Sequence, residues 1–467
     1  MTPRLRALFF GTIVTLTDLL PPRLRYGYAH RLTRMMFSAA LPVVNNAVSR
    51  SAISLSAISR SAAPGEVRTA TTPNLTCAIL ADHLDVGGIG AVVEMLATGF
   101  ASERVRAVIV CHGDGDRARR LRRLGIDVRR VTDSTSALEA LASSGADVLQ
   151  LHSAPDYLEQ AGMASSLPVI TVMHNTEIHY TPARWSSFSA LMNRSAAGVA
   201  VSDTVRRYHV RRLSPELGKR ITVVANGAPA LPVASADDRL RARAAVSQAI
   251  GVNIDHEVLF VCLARYDSQK NIAGTTVGFA RAARQADDIH LVFAGDPSDW
   301  AELRRAQALR DETDEPRRIH FLGNSDAVTL LTAGDAFLLN SFFEGWPVAA
   351  TEASAAGLPL ILSEAGGSVE LQSRDSAFSV MVPNPAGDAA GISDALVRKA
   401  RRQTRNQPGR HALEAAVLAV AEQSRGVTGP PAPRSAAGIA DMLQSHAQVL
   451  REAIEARANE SSSPGVP

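Results

Sequence analysis

Short apolar runs separated by amphipathic stretches constrain this chain more than any other feature. From residue 74 the runs are "LTCAILA", "VRAVIVC", "IDVRRV", "DVLQL", "LPVITVM", "AGVAVS" and "RITVVA". A strand followed by a helix, repeated many times, builds a parallel doubly wound sheet. "NGAPALPVASADD" (226–238) interrupts the series with Gly, Pro and Asp. A second series follows: "EVLFVCLA", "IHLVFAG", "RIHFLG", "DAFLLN", "LPLILS" and "FSVMV". The expected fold is α/β, with two doubly wound Rossmann-like domains in tandem. In such sheets ligands bind beyond the carboxyl ends of the strands, so the two domains are expected to share a cleft there.

The length agrees, since 467 residues exceed what one core can organise. The boundaries read as 1–70, a basic amphipathic extension and linker; 71–229, the first domain; 230–254, a connection; 255–390, the second domain; and 391–467, a helical region with a frayed tail. A formal net charge of +3 is too small for a nucleic-acid binder of this size. Cys77, Cys111 and Cys262 each sit in an apolar run, as small core residues of a protein in a reducing, cytoplasmic compartment.

The first 70 residues have a composition of their own. Asp18 and Glu66 are their only acids, against nine arginines up to Arg68. "LRALFFGTIVTLTDLL" (5–20) is apolar, yet too short to span a bilayer and interrupted by Asp18. Leu5, Leu8, Phe9, Ile13, Leu16 and Leu20 share one helical face, and Leu32, Met35, Met36 and Val43 make a second stripe near Arg31 and Arg34. Peripheral contact of residues 1–45 with an anionic membrane, on its inner, cytoplasmic face, is one reading; a partner-docking helix and a disordered extension are the others. Removing residues 1–70 is expected to weaken vesicle binding and spare the fold. "SRSAISLSAISRSAAPGE" (49–66) reads as a linker.

Polar residues at strand ends carry the candidate chemistry. In "SFFEGWPVAATEASAAGLPLI" (341–361), Glu344 lies in the loop after a strand, Pro347 suits the first turn of a helix, Glu352 lies inside that helix, and Gly357 caps it. The N–H groups of Gly345 and Trp346 face the same space. "LARYDSQKN" places Arg265 and Lys270 after the first strand of the second domain. Two cations there suit a diphosphate, although a surface loop with ordinary charges reads the same way. Lys270 stands out because the other lysines are only Lys219 and Lys399. In the first domain, Gly87 and Gly88 open a helix after the first strand, allowing close backbone approach to a ligand or simply a tight turn. His174 ends a strand within "VMHNTEIHY", as a substrate contact or a loop histidine. "FAGDPSD" and "HFLGNSD" read as strand-to-helix turns with capping residues.

Taken in order, these motifs resemble the retaining glycosyltransferases of family 4, group 1, from about residue 74 to 390. The likeness is carried by "DVGGIGAVVEMLA", "VAVSDTVRRY", "ITVVANGAPA", "LARYDSQKN", "LVFAGD" and the stretch from "IHFLGNSD" through "EGWPVAATEASAAGLP" to "SEAGGSVEL". The resemblance implies the GT-B fold of two facing Rossmann-like domains, and transfer of a sugar from a UDP- or GDP-sugar to an acceptor with retention. No metal and no further cofactor is implied, the nucleotide-sugar being a co-substrate. By position, Arg265 and Lys270 would hold the diphosphate, Glu344 the transferred sugar and Glu352 the ribose. The Gly345 and Trp346 N–H groups would hold sugar or phosphate oxygens. Gly87 and Gly88 would let the first domain approach the donor, and His174 would lie by the reacting sugar. The catalytic set would then be Glu344, His174, Arg265 and Lys270. The acceptor is left open, with a lipid-linked or cell-envelope glycan favoured if the N-terminus binds membrane. Trp346-Pro347-Val348 replaces the Phe-Gly of many members, and residues 1–70 and 398–435 lie outside the pattern. A nucleotide-sugar epimerase, a phosphorylase, or a silent GT-B docking module are the alternatives.

Overall fold

A strand covered on both faces has no reason to alternate apolar and polar residues. Cys77, Ala78, Ile79 and Leu80, consecutive in the first run, are all fully buried. The structure, a computed structural model, describes residues 2–22, 24–48, 74–84, 87–229, 231, 233–374, 379–427, 429–432 and 438–462. The linker read at 49–66 lies outside these residues, as do Asp85 and Val86 of the glycine loop and the last residues of the tail. Each apolar run contains a strand. In the first series these are β1 Leu75–His83, β2 Val105–Gly113, β3 Asp127–Arg130, β4 Val148–His152, β5 Val169–Met173, β6 Ala197–Ala200 and β7 Ile221–Val223. In the second they are β8 Val258–Leu263, β9 Ile289–Ala294, β10 Ile319–Leu322, β11 Ala336–Leu339, β12 Leu360–Ser363 and β13 Ser379–Val382.

The chain divides into two compact units, one comprising Ser54–Pro229 and Gly438–Pro467, the other Met1–Ile53 and Ala230–Ala437. The first holds a parallel sheet in the order β3-β2-β1-β4-β5-β6-β7. The second holds β10-β9-β8-β11-β12-β13, also parallel. Each order reverses once, between β1 and β4 and between β8 and β11, where Ala336 lies opposite Phe260. Helices cannot cover both sides of such a point, which leaves a crevice at the strands' carboxyl ends. The long final helix, Ile439–Ser462, belongs to the first unit, where the Gly227 N–H lies 3.3 Å from Met442 Sδ.

The N-terminal residues differ from the separate extension read in the sequence. Helices Pro3–Thr17 and His30–Phe37 pack on helix Trp300–Asp311 of the second unit. Asp18 is fully buried and is bonded to Arg401, with Arg25 at 3.7 Å. Arg25 in turn reaches Asp394 at 2.9 Å, and Arg401 reaches Glu302 at 3.2 Å. Residues 42–47 are hydrogen-bonded along the second unit, Pro42 O accepting from Gly323 N at 2.7 Å and Val44 O from Asp326 N at 2.9 Å. Val44 and Val48 complete a core with Val246, Leu259 and Leu330. Deleting this segment would therefore open a core and orphan buried charges, so it would not spare the fold. The sequence concealed this because the segment's anchoring partners lie some 280 to 380 residues away.

The stretch 230–254, read as a connection, likewise contributes a helix, Ala236–Ile250, to the second unit. Ser235 and Asp238 form a capping box at its start. Arg239 and Arg243 both reach the buried Asp335, whose Oδ2 also accepts from the Leu259 N–H at 2.7 Å. One carboxylate thus ties the helix to the base of β8. Removing it would leave two buried guanidinium groups uncompensated, a loss of about 3–5 kcal/mol. Denaturant unfolding of Asp335→Ala should show a lower midpoint by that amount, and an unchanged midpoint would contradict this role for the pair.

Candidate functional site

In the second unit, two loops meet at the β8–β11 reversal, and each is held by specific geometry. After β8, Asp267 Oδ1 accepts from the N–H groups of Gln269 (2.9 Å) and Lys270 (3.2 Å), curling the chain into a turn. Asn271 then takes the left-handed conformation, φ 49°, which Asn tolerates better than most residues. Its side chain exchanges two hydrogen bonds with Gln407, at 3.0 and 2.9 Å. After β11, Ser363 Oγ donates to Ser341 O at 2.7 Å, and Asn384 Nδ2 donates to Phe342 O at 2.8 Å. Gln269 joins the two loops: its carbonyl accepts from Phe342 N at 2.9 Å, and its side-chain amide donates to Phe343 O at 2.9 Å.

Lys270 and Glu344 meet inside this frame, Nζ to Oε1 at 2.6 Å. Ser341 Oγ donates to the same oxygen at 2.6 Å, and Gln269 Nε2 lies 3.3 Å from Oε2. Glu344 is nearly fully buried, so the fixed donors replace its lost water. Gly366, at φ 53°, passes so close that a Cβ there would stand 2.1 Å from the Glu344 carbonyl oxygen. Gly367 leaves room for the Trp346 ring, whose Cε3 would stand 2.4 Å from a Cβ there, and donates its N–H to Gly345 O at 2.8 Å. Trp346 Nε1 donates to Thr351 Oγ1 at 2.8 Å, and Arg374 stands over its ring at 5.1 Å. Among the described residues, neither the Gly345 nor the Trp346 N–H donates to a protein acceptor.

Arg265 stands at the rim, about half exposed, 3.1 Å from Asp267. Glu352 is half-buried on helix Val348–Ala355, which Gly357 ends with φ 88° and a pair of bonds, Leu358 N to Ala353 O and Gly357 N to Ser354 O. The second unit thus brings together Arg265, Lys270, Glu344, Gly345 and Trp346. Gln269 and Ser341 belong with them; a polar residue in each of the motifs was the available signal.

In the first unit, Gly87 has φ 139°, open to glycine, and Gly88 begins helix Gly88–Gly99. His174 lies just beyond β5, nearly fully buried. Its Nε2 is 2.8 Å from His152 Nδ1, His152 Nε2 is 3.1 Å from Gln150 Oε1, and Gln150 Nε2 is 3.1 Å from His446 Nδ1. The Gln150 amide, with its oxygen toward His152 and its nitrogen toward His446, corresponds to one set of protons along this line. Its oxygen can only accept, so His152 carries hydrogen on Nε2; a neutral His152 then has a bare Nδ1, and His174 must donate from Nε2. His174 therefore keeps an unprotonated Nδ1. The line was foreshadowed by Gln150 and His152 standing two apart, on one face, in an otherwise apolar strand.

Burial, with neighbouring histidines adding to it, pushes His174 down to about 3 and His152 well below the usual histidine range. Burial alone takes His446 to about 4. His179 does not join this line. Close by, desolvation raises Glu177 to about 7 against the pull of Arg184. The other motifs resolve as caps: Asp299 accepts from the Ala301 and Glu302 N–H groups, and Asp326 from Thr329 N. Asp114-Gly115-Asp116 after β2 has the D-x-D form of a metal–nucleotide motif. Arg122, however, holds both Asp114 oxygens at 2.9 Å, and Asp116 pairs with Arg119. Among the described residues no three His, Cys, Asp or Glu side chains gather as metal ligands.

Two family models match, one to each sheet: "Glycosyltransferase Family 4" over residues 86–230 and "Glycosyl transferases group 1" over 248–412. The chain belongs to the family 4 glycosyltransferases. Within the family, it is 32% identical over 189 residues to the lipopolysaccharide core biosynthesis glycosyltransferase LpsD of Rhizobium meliloti, covering 39% of this chain and 48% of that one. It is 30% identical over 138 residues to a D-inositol 3-phosphate glycosyltransferase of Mycobacterium sp. (strain KMS), covering 28% and 31%. These matches span less than half the length of either relative. The GT-B fold is shared with Anabaena Alr3699/HepE in complex with UDP-glucose, at TM-score 0.58 and 15% identity, over 81% of this chain and all of that one. Sucrose-phosphate synthase from Thermosynechococcus elongatus superposes at TM-score 0.58 and 16% identity, over 82% of this chain and all of that one.

The buried histidines make stability depend on pH. Their folded values lie below the ordinary 6.5, so below that pH the unfolded chain binds more protons and stability falls as the solution is acidified. Each such group contributes about 1.4 kcal/mol per pH unit until its folded value is reached. Thermal midpoints should fall steadily from neutral to about pH 5, and His446→Gln should flatten the slope by one such increment. A slope unaltered by that substitution would show that His446 titrates normally.

Proposed function

We infer that this chain moves a glycosyl group from a nucleotide-sugar to an acceptor, with retention and without a metal ion. The observation that carries the reading is the Lys270–Glu344 pair, framed at the sheet reversal with the exposed Arg265 beside it. An ammonium has three N–H donors, and Glu344 occupies one. The remaining donors of Lys270, with the fork of Arg265 and the unpaired Gly345 and Trp346 N–H groups, offer a diphosphate several convergent bonds. As the bond from the sugar's anomeric carbon to the phosphate oxygen lengthens, negative charge gathers on that oxygen, and fixed cations stabilise it more than they do the ground state.

Glu344 suits an orienting and electrostatic role. Its oxygens already face Lys270, Ser341 and Gln269, which leaves a poor nucleophile for covalent attack on the sugar. It would instead accept from a sugar hydroxyl and favour positive charge developing on the ring. The acceptor oxygen then joins the anomeric carbon on the face the phosphate leaves, and its proton passes to the departing phosphate oxygen. Glu352 would meet the ribose, Gly87 and Gly88 would allow close backbone approach, and the bare Nδ1 of His174 would accept from a substrate hydroxyl. UDP-sugars and GDP-sugars are the donors to try first; UDP-glucose is bound by one structural relative. The acceptor would be a cell-envelope or lipid-linked glycan, met in the cytoplasm.

Release of nucleoside diphosphate should be measured on a donor panel in EDTA. Wild type is expected to turn over one donor, while Lys270→Ala and Glu344→Gln each lower kcat by about two to three orders of magnitude. Turnover surviving both substitutions, or requiring added divalent metal, would overturn the assignment.

A further inference from the structure

The helix Pro3–Thr17 is apolar nearly all round, and such a helix should be covered on every side. It is covered on one. Ala7, Val14 and Asp18 are buried toward the second unit, whereas Leu5, Leu8, Phe9, Leu16 and Leu19 are exposed along the opposite side, Leu8 by 68% and Leu19 by 69%. The surface continues onto helix His30–Phe37, since the Phe37 ring packs edge-on against Phe9 and Phe10 at 6.4 and 5.2 Å. There Leu32, Met35 and Met36 are bare, Met35 by 77%. Most of the large apolar side chains exposed among the described residues fall between Leu5 and Val43. An apolar patch of this kind, concentrated in one place, marks a surface that meets something.

Charge identifies what it meets. Asp18 is the only acid among residues 2–48, and it is buried and neutralised by Arg25 and Arg401. The charged residues left exposed on the two helices are all basic: Arg4, Arg31 and Arg34. Leucine, methionine and phenylalanine beside arginine, with no exposed acid, complement a bilayer whose headgroups are anionic: apolar side chains enter the acyl boundary and guanidinium groups meet the phosphates. We propose that the outer face of the two N-terminal helices is a docking surface for an anionic lipid bilayer. The helices lie on the surface and do not cross it; among the described residues no helix is long and apolar enough to span. The face is rigidly presented, because the Asp18–Arg401 and Arg25–Asp394 pairs bind both helices to the second unit. The inference does not depend on the sugar-transfer reading.

Sedimentation of the full chain with vesicles tests it, comparing phosphatidylcholine alone with phosphatidylcholine mixed with phosphatidylglycerol. Leu8 and Leu16 point outward, so Leu8→Glu with Leu16→Glu should keep the wild-type thermal midpoint. Wild type is expected to sediment with the mixed vesicles and to be released by salt. The double variant should lose at least about tenfold in the bound-to-free ratio, and Arg31→Glu with Arg34→Glu a similar amount. Three results would overturn the proposal: wild type remaining in solution with mixed vesicles, binding unchanged in both variants, or a dimer without vesicle binding that the leucine variant converts to monomer. The last would assign the face to a second copy of the chain.

Discussion

Taking a carboxylate out of water costs several kcal/mol, and three of the carboxylates that the second unit buries organise its architecture. Each is compensated by a cation from a distant part of the chain, and each compensation fixes an element in place. Asp335 draws Arg239 and Arg243 to the base of β8 and so secures the helix that enters the unit. Asp18 draws Arg401 and Arg25 together and fastens the N-terminal helices. Glu344 draws Lys270 across from the neighbouring loop. The first two pairs are structural anchors. The third stands at the sheet reversal, where the same physics that orders the loops also sets the charge pair to which the proposed function assigns the donor.

Placing Glu344 also depends on backbone that side chains would obstruct. Gly366 in its left-handed conformation touches the Glu344 carbonyl, and Gly367 makes room for Trp346. Ser363 and Asn384, from the ends of β12 and β13, then hold the carbonyls of Ser341 and Phe342. Three adjacent strand ends thus converge on one short loop. The first unit uses a different device for the same purpose, a line of hydrogen bonds from His446 through Gln150 and His152. This line orients His174, and burial keeps it neutral.

The strands were legible because burial on both faces leaves an unbroken apolar run, a signal that does not depend on what lies opposite. Arg265, Lys270 and Glu344 were legible because they stand at the ends of such runs, where the fold places ligands. Their supports were not: the glutamine at 269 is an ordinary loop residue until the turn at Asp267 brings it to Glu344, and the serine at 341 is one until the loop after β11 folds its hydroxyl back onto the same carboxylate. His446 lies 296 residues from Gln150, a pairing no local pattern encodes. The N-terminal stripe shows the limit most clearly. Its periodicity gave a helical face of Leu5, Leu8, Phe9, Ile13, Leu16 and Leu20, of which Leu20 lies past the helix's end at Thr17, but periodicity cannot say which side is covered. Helix Trp300–Asp311 takes the opposite one, because Ala7 and Val14 are small enough to pack closely and Asp18 reaches its arginines there.

The buried pair also bears on how, in the proposed reaction, one lysine would serve two partners. If Glu344 relied on Lys270 alone, movement of the ammonium toward a phosphate would strand a carboxylate in the interior, and binding would bear that cost. Ser341 and Gln269 remove the difficulty, because each keeps a donor at Glu344 wherever Lys270 turns. The ammonium is therefore held by Glu344 without being the only group that compensates it. Charge stabilisation of a leaving phosphate is most effective when the cation is fixed beforehand and little reorganisation accompanies the reaction. In the proposed reaction, surrounding the glutamate with neutral donors would satisfy both requirements, and it is the feature of this loop pair that a comparison of charged residues alone would overlook.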